Sequence, residues 1–401
     1  MGTKGVRIAS VVFLALTASA VRGQTADGCP IIQVTAASAG ESANPRISAD
    51  GRWITFQSSS DLTGGNGDGS YEVFLLDRVS GLTEQVTSSS SFSGGPSISA
   101  AGNRIAFYSS ANLTGENPDG SIEVYMYSLI APVGLSQLTS SVGLDNDTPA
   151  ISPDGAFVVY RSTADPSGTN PDHSFELFRM NIATSALVQV TVATTGASET
   201  ASVSSDGSLV ALYSTSDLAG ENADGSAEVF LYDAGDSSTT QVTDSVGLVS
   251  SPELSADGST IVFHHFGDLI NGVPGSSRVY EYATSGGTTT QISTDTYSIF
   301  PSTTSTGNFA TYLSIDDLTG QNPDNNIEIF VRRASDGHVS QVTDTTTGDN
   351  QPPILSADGR WLAFYSNADL TGGNADASFE VFLTQLCVFG DGFESGDTGE
   401  W

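Results

Sequence analysis

The fold is decided by residues 47–77, which read ISADGRWITFQSSSDLTGGNGDGSYEVFLLD, and by their recurrence along the chain. Residues 98–127 repeat the stretch as ISAAGNRIAFYSSANLTGENPDGSIEVYMY, and five further copies follow. Successive turn glycines lie 49 to 53 residues apart, at Gly51, Gly102, Gly155, Gly207, Gly258, Gly307 and Gly359. A near-constant period of this length, with four short strands in each unit, is typical of a β-propeller. The sequence therefore predicts an all-β, seven-bladed propeller of four-stranded antiparallel blades.

Each unit alternates strand patterns with turn chemistry. Asp50-Gly51 predicts a tight turn between the first two strands, because glycine accepts a positive φ, and Ser48 is expected to cap this turn through its hydroxyl group. The run 53–56, WITF, has the period-two pattern of a strand packed on both faces. No helical periodicity is found.

The first residues have the pattern of an export signal. Lys4 and Arg7 precede an apolar run, and small residues follow at Ala18 and Ala20. This pattern predicts a signal peptide over residues 1–23 and export to the periplasm or the extracellular medium. The propeller is then expected over residues 29–387, followed by a short tail over residues 388–401.

The two ends of the repeat array are complementary. Gln33-Val34-Thr35 matches the end of a fourth strand but precedes any first strand, whereas the last unit lacks a fourth strand. We therefore expect the N-terminal strand to complete the last blade and close the ring, which removes exposed edges. Alignment of the units places Cys29 and Cys387 on either side of one hairpin-turn residue. A Cys29–Cys387 disulfide is therefore predicted.

The charge of the chain limits its partners. It has 46 acidic and 13 basic residues and a formal net charge of −33. Nucleic acids and anionic membranes are bound by clustered Lys and Arg, so both are excluded as partners. No segment after the signal peptide is apolar enough to enter a membrane. An unknown protein or a neutral or cationic ligand remains as the partner, and a monomer is expected.

The repeat resembles the PD40 or TolB-like (WD40-like) β-propeller repeat of exported bacterial proteins. The resemblance depends on Pro-x-Ile-Ser-x-Asp-Gly before an aromatic strand and on Asn-x-Asp-Gly-Ser-x-Glu-Val-Phe before the outer hairpin. It covers residues 31–386 and departs most in the fifth unit, where Arg278 stands at the usual place of Glu. The resemblance implies a scaffold that contacts proteins or ligands without catalysis. The ending DGFESGD in the tail is similar to a short C-terminal segment of assorted exported bacterial proteins.

The loops between the second and third strands collect acidic residues on one face of the ring. Their alternating oxygen-bearing side chains resemble calcium ligands, although the spacing differs from that of the twelve-residue calcium loop. The alternative is that these side chains close turns and that the Glu residues hold loop amides. No cofactor is predicted, and calcium is the open alternative. The candidate ligands are Asn66, Asp68, Glu72, Asp119, Glu123, Asp224 and Glu228.

Motifs of catalysis are scarce. The histidines are His173, His264, His265 and His338, and the adjacent pair in a strand should point to opposite faces. At the channel-side position of each unit the residues are mostly small, with Arg46 and Glu253 as exceptions. No catalytic residue is assigned, and we expect an exported non-catalytic scaffold that binds through the acidic face. The alternative is a polysaccharide-active enzyme, a hydrolase or a lyase, with its site at the acidic rim or in the channel.

Overall fold

All regular elements of the described chain are β-strands. The computed structural model describes residues 22–25, 28–37, 39–193, 196–245, 247–267, 269–270, 275–294 and 296–386. Its strands form seven antiparallel sheets, each of which packs against the next, and the last packs against the first. These sheets are blades 1 to 7 of a propeller, as the repeat predicts. Over the described residues, the search for a helix long and apolar enough to span a membrane finds none.

Blades 1 to 3 follow one another along the chain, and each blade runs from its inner strand to its outer strand. The strands of blade 1 are β3 (Ser42–Ile47), β4 (Trp53–Ser58), β5 (Glu72–Asp77) and β6 (Leu82–Gln85). Those of blade 2 are β7 (Ser93–Ile98), β8 (Arg104–Ser109), β9 (Glu123–Ser128) and β10 (Gly134–Gln137). Those of blade 3 are β11 (Asn146–Ile151), β12 (Phe157–Ser162), β13 (Glu176–Asn181) and β14 (Leu187–Gln189).

Blades 4 to 6 repeat this order. The strands of blade 4 are β15 (Ser198–Val203), β16 (Leu209–Ser214), β17 (Glu228–Asp233) and β18 (Ser238–Gln241). Those of blade 5 are β19 (Leu248–Leu254), β20 (Thr260–Phe266), β21 (Ser277–Ala283) and β22 (Thr288–Gln291). Those of blade 6 are β23 (Ser298–Thr303), β24 (Phe309–Ser314), β25 (Glu328–Arg333) and β26 (Val339–Gln341).

Blade 7 is built from both ends of the chain. Its strands are β27 (Ile354–Leu355), β28 (Trp361–Ser366), β29 (Glu380–Gln385), β2 (Pro30–Gln33) and an outermost β1 (Arg22–Gln24). Pairs such as Ile32 with Leu383 join β2 to β29, which confirms the predicted closure by the N-terminal strand. The expected four-stranded blade carries one strand more than predicted, because Arg22 and Gly23, placed in the signal peptide by the sequence, pair with β2.

Three predictions fall on residues outside the described part of the chain. Residues 1–21, Cys387 and the tail over residues 388–401 are not described, so the signal peptide, the disulfide and the role of the tail stay predictions. The register of β2 with β29, continued by one step beyond Pro30, places the buried Cys29 opposite Leu386, the residue before Cys387 in the chain.

A stacked aromatic pair between the second and third strands recurs in several blades. In blade 1 the rings of Phe56 and Phe74 stack with centroids 5.7 Å apart, and blade 7 repeats the pair with Phe364 and Phe382 at 5.6 Å. Such pairs stabilise a core beyond their buried area. At the turn, a Cβ on Gly51 of blade 1 would lie 2.2 Å from the Trp361 ring of blade 7, so only glycine fits at this contact across the closure.

Candidate active site in the central channel

One mouth of the central channel is formed by the turns between the first and second strands. Ser48 accepts a hydrogen bond from the Trp53 amide at 2.9 Å and donates one to Asp50 at 2.7 Å, which confirms the predicted hydroxyl cap. Backbone bonds then link turn to turn around the ring, from Ala49 N–H to the Ala100 carbonyl and finally from Asp358 N–H back to the Ala49 carbonyl. This continuous ring of neighbouring turns constricts the mouth. We call it the turn mouth.

The other mouth carries the acidic loops and the links between blades. In blade 1 the buried Asn66 amide donates to the Ser70 carbonyl at 2.8 Å, and Asp61 accepts from the Asn66 backbone N–H at 2.9 Å. The hydroxyl group of Ser70 bonds to Asp68 at 2.8 Å. These bonds are the turn chemistry that the sequence predicts as the alternative to calcium binding. We call this the loop mouth.

The glutamates that close the acidic loops are buried and face the protein. Glu123 accepts bonds from the Ser141 backbone N–H at 2.6 Å and from the Asn146 amide at 3.0 Å, and the Thr139 hydroxyl group bonds to it as well. Burial raises the pKa of Glu72, although hydrogen bonds from Thr87 and Ser89 oppose the shift. A hydrogen bond from a backbone N–H group of the link between blades recurs at the equivalent glutamates Glu176, Glu228, Glu328 and Glu380.

The calcium candidates therefore have two kinds of environment. Glu72, Glu123 and Glu228 lie inside the fold and bond to loop groups, whereas Asp68, Asp119 and Asp224 are exposed at the loop tips. Over the described ranges no group of three or more His, Cys, Asp or Glu side chains is close enough to hold a metal ion. Calcium binding stays an open alternative, and the described residues contain no carboxylate cluster that supports it.

The adjacent histidines of blade 5 take separate roles, as expected for a strand. The ring nitrogens of His265 bond to the Gly267 carbonyl at 3.0 Å and the Ser245 hydroxyl at 2.9 Å. The ring of His264 packs edge-on against Phe266 and Phe300. Burial lowers the pKa of His264 to about 4, so this imidazole is neutral at physiological pH.

The inner strands line the channel through one equivalent position in each blade. Register pairs such as Arg46 with Thr55 and Glu253 with Val262 define this position. The seven residues there are Arg46, Ser97, Ala150, Ser202, Glu253, Ser302 and Ile354. Five are uncharged, and the two charged residues come from blades 1 and 5, which lie nearly opposite each other in a seven-membered ring.

Glu253 is the channel residue whose carboxyl group has a strongly shifted pKa. It lies in the channel wall and is only partly exposed, and within the described chain no protein hydrogen bond reaches its carboxyl group. Burial raises the pKa of Glu253 to about 7, and the positive charge of Arg46 opposes this shift. A carboxyl group with this pKa is a candidate general acid or base near neutral pH.

Arg46 supplies the positive charge of the channel. Its side chain is exposed to the channel, and Nη1 donates to the neighbouring Pro45 carbonyl at 3.0 Å. Arg46 and Glu253 line the same cavity of about 410 Å³, together with Tyr108 and small side chains. A guanidinium group presents paired donors that match a carboxylate ligand. The channel can therefore bind an anionic group on one wall and exchange a proton on the other.

The structure also shows a feature of the channel that the sequence does not. Each of the inner strands of blades 1 to 6 has a register shift. At these bulges Asn44, Thr148, Ser251 and Phe300 have φ between 45° and 54°. Bulges of this kind re-aim side chains. The residue types at these four positions differ, but the next residue is proline in each case, at Pro45, Pro149, Pro252 and Pro301.

A second charged group beside the loop mouth is already neutralised. Arg161 of blade 3 bonds to Asp147 at 2.7 Å and also to Glu199 of blade 4, and its guanidinium group lies 4.3 Å from the centre of the Phe175 ring. Both carboxylates of this cluster are therefore paired. Of the charged channel residues, Arg46 and Glu253 remain as the candidates for chemistry.

Comparison with known proteins supports the fold and revises the expected function. The structure of oligogalacturonate lyase from Vibrio parahaemolyticus has a TM-score of 0.63 at 10% identity, over 91% of this chain and 96% of that chain. Oligogalacturonate lyase in complex with manganese has a TM-score of 0.60 at 13% identity, over 91% and 95%. The β-propeller domain of the Trilobed protease from Pyrococcus furiosus has a TM-score of 0.56 at 10% identity, over 87% and 94%.

Sequence comparisons add no family. No family model matches the chain, and no curated protein matches it. The structural similarities show the β-propeller fold, whereas membership of the TolB-like family stays a prediction.

The residues of the channel do not fit the manganese ion of the second structure. Divalent manganese takes carboxylate, carbonyl or imidazole ligands, usually several at once. The seven equivalent channel positions supply one carboxyl group and no histidine, and the nearby Arg46 would repel a cation.

The preferred prediction from the sequence, a non-catalytic scaffold without enzyme activity, is wrong. Two of the solved structures that share this ring over 91% of the chain are lyases. The prediction depended on the small side chains at most channel positions. Catalysis requires few groups, however, and Arg46 and Glu253 break the repeat where a ligand enclosed by the ring would lie. These findings favour the alternative, a polysaccharide-active enzyme with a site in the channel.

Proposed function

We propose that this chain is an exported polysaccharide-active lyase that cleaves uronate-containing chains in its central channel. The observation that carries the proposal is the pairing of a carboxyl group of raised pKa, Glu253, with the positive Arg46 on opposite walls of one cavity. The lyases among the structural neighbours support the class of reaction.

In this mechanism Arg46 binds the carboxylate of a uronate residue. Its charge stabilises the negative charge that develops when the adjacent carbon, C5, loses its proton. The Glu253 carboxylate accepts that proton as a general base. The C–H electron pair forms the C4–C5 double bond, and the C4–O bond breaks with its electrons on the leaving oxygen, which takes a proton from water.

Elimination is favoured over hydrolysis by the number of carboxyl groups. A glycosidase requires two carboxyl groups that flank the scissile bond. Among the seven equivalent channel positions only Glu253 carries one. Elimination requires one base and one charge-neutralising cation, which is what the channel contains.

The test is the cleavage of polygalacturonate, followed by the ultraviolet absorbance of the C4–C5 double bond. The rate should rise with pH through about 7, since the base must be deprotonated. Glu253→Gln should lower kcat by about 10² to 10⁴. Glu281→Gln is the matched control, because Glu281 in β21 of the same blade also has a pKa raised by burial beside an arginine, Arg332, but lies outside the channel.

Three results decide the proposal. Product absorbance that depends on Glu253 and not on Glu281 supports it. Cleavage without the double bond, at a rate that falls above pH 7, assigns Glu253 as the acid of a hydrolase instead. No cleavage of any uronate-containing polysaccharide overturns the assignment.

A further inference from the structure

A second cavity, of about 580 Å³, lies across blades 4, 5 and 6. Its walls are the beginnings of inner strands and the ends of second strands, which places it at the loop mouth. We call it the aromatic groove and define it by Leu248, His264, Phe266, Tyr297 and Phe300.

The aromatic groove presents apolar side chains to solvent. Leu248 is 63% exposed, Phe266 44% and Phe300 38%. The rings of Phe266 and Phe300 both pack edge-on against His264, with centroids 5.6 Å and 5.5 Å from it. Within the described chain the buried His264 Nδ1 atom has no hydrogen-bond partner. An exposed aromatic cluster of this kind is suited to a ligand that offers apolar faces.

The groove continues into the channel along single strands. In β19 the residues Leu248 and Ser250 line the groove, and Glu253, further along the same strand, lines the channel. In β15, Glu199 lines the groove and Ser202 lines the channel. A chain molecule with one unit beside Glu253 would therefore place its next units in the groove.

The charge pattern of the loop mouth also favours this exit. The acidic loops of the other blades each contain three or four Asp and Glu residues, as in residues 112–123 of blade 2. Between Phe266 and Arg278 of blade 5 the sequence contains one acidic residue, Asp268. A polyanionic chain is repelled by the other loops and least repelled above blade 5.

We propose that the aromatic groove binds the sugar units next to the one that reacts, by stacking their pyranose faces on Phe266 and Phe300. The inference rests on the proposed function, since it takes the same uronate chain as its ligand. It assigns blade 5 as the place where the bound chain leaves the channel. The acidic loop is missing there because a carboxylate-rich loop would oppose the substrate.

The test is calorimetric binding of oligogalacturonides, from the disaccharide to the hexasaccharide, to the Glu253→Gln protein. We expect the hexasaccharide to bind more tightly than the disaccharide. Adding Phe266→Ala or Phe300→Ala should weaken hexasaccharide binding about tenfold and leave disaccharide binding unchanged. Phe92→Ala is the matched control, because Phe92 is 36% exposed before the inner strand of blade 2, outside the groove. Melting temperatures check that each variant is folded.

The outcomes separate the two proposals. Equal weakening of both ligands, or no weakening of either, overturns the groove as a binding site for neighbouring units. Length-dependent binding through Phe266 and Phe300 in a wild-type protein that makes no unsaturated product supports the groove and overturns the lyase assignment. Cleavage that is insensitive to the groove variants, with unchanged affinity for long ligands, supports the lyase and overturns the groove.

Discussion

The acidic loops contain fully buried glutamates and the channel contains a partly buried one, and the two regions treat the carboxyl group in opposite ways. In the loops Glu123 receives hydrogen bonds from a backbone amide, a side-chain amide and hydroxyl groups. In the channel, burial raises the pKa of Glu253, and the positive charge of Arg46 opposes this rise. A buried charge is stabilising where its hydrogen bonds are made and costly where they are absent.

This difference shows how a repeat protein separates structure from chemistry. The loop glutamate recurs in six blades, where it accepts hydrogen bonds from the link to the next blade. Glu253 occurs once, in blade 5, where the acidic loop is also lost. In this molecule the repeated residues build the ring, and the exceptions to the repeat mark the candidate site and the groove beside it.

The largest expected effect on stability comes from the loop region. Glu123→Ala leaves the Ser141 backbone amide without its acceptor inside the fold and removes one of the two acceptors of the Asn146 side-chain amide. We expect the free energy of unfolding to fall by about 3 kcal/mol, measured by urea unfolding. The control is Glu116→Ala, an exposed residue on the same loop, which should leave stability unchanged. Equal effects of the two variants would contradict the structural role of Glu123.

In the channel, removal of a glutamate charge should raise the free energy of unfolding instead of lowering it. The folded-state pKa of Glu253 is raised from 4.5 to about 7, so the folded protein binds this proton more tightly than the unfolded chain. The contribution of Glu253 to the free energy of unfolding is therefore fully present below pH 4.5 and is lost as the pH rises to about 7. Glu253→Gln removes this loss, so the variant should become more stable than the wild type as the pH rises, by at most about 3 kcal/mol above pH 7.

Urea unfolding at several pH values checks the channel prediction. A stability difference that does not change between pH 4.5 and 7 would show that Glu253 titrates normally. The comparison between the two regions would then fail at the channel.

The smallest effect is expected at the exposed tips of the acidic loops. The Ser70 backbone amide and hydroxyl lower the pKa of Asp68 by donating hydrogen bonds to it. Asp68→Asn keeps an oxygen acceptor for these bonds and removes one negative charge from the rim. Its melting temperature should therefore match that of the wild type at neutral pH, as judged by calorimetry. A drop as large as that of Glu123→Ala would show that the loop tips need their charge.

Much of the blade could be predicted from local patterns, whereas the meaning of the channel residues could not. The turn at Ser48 and Gly51 and the closure by residues 33–35 were both readable, because turn chemistry and strand complementarity act between near neighbours or equivalent units. Arg46 and Glu253 were visible as exceptions among the channel positions. Their opposition across one cavity, and the lack of any hydrogen bond from the described residues to the Glu253 carboxyl group, depend on how blades far apart in the chain close into a ring.

The sequence alone determined the number of blades, the turn and four strands of the repeat, and the acidity of one face, since all of these follow from a seven-fold repeat of local preferences. It also marked blade 5 as different through the missing loop. Only the tertiary structure decided that the loop glutamates face inward, that bulges shape the loop mouth, and that Glu253 has a pKa of about 7. The physical reason is that burial and pairing are properties of the closed ring, where residues some two hundred positions apart, such as Arg46 and Glu253, share one cavity.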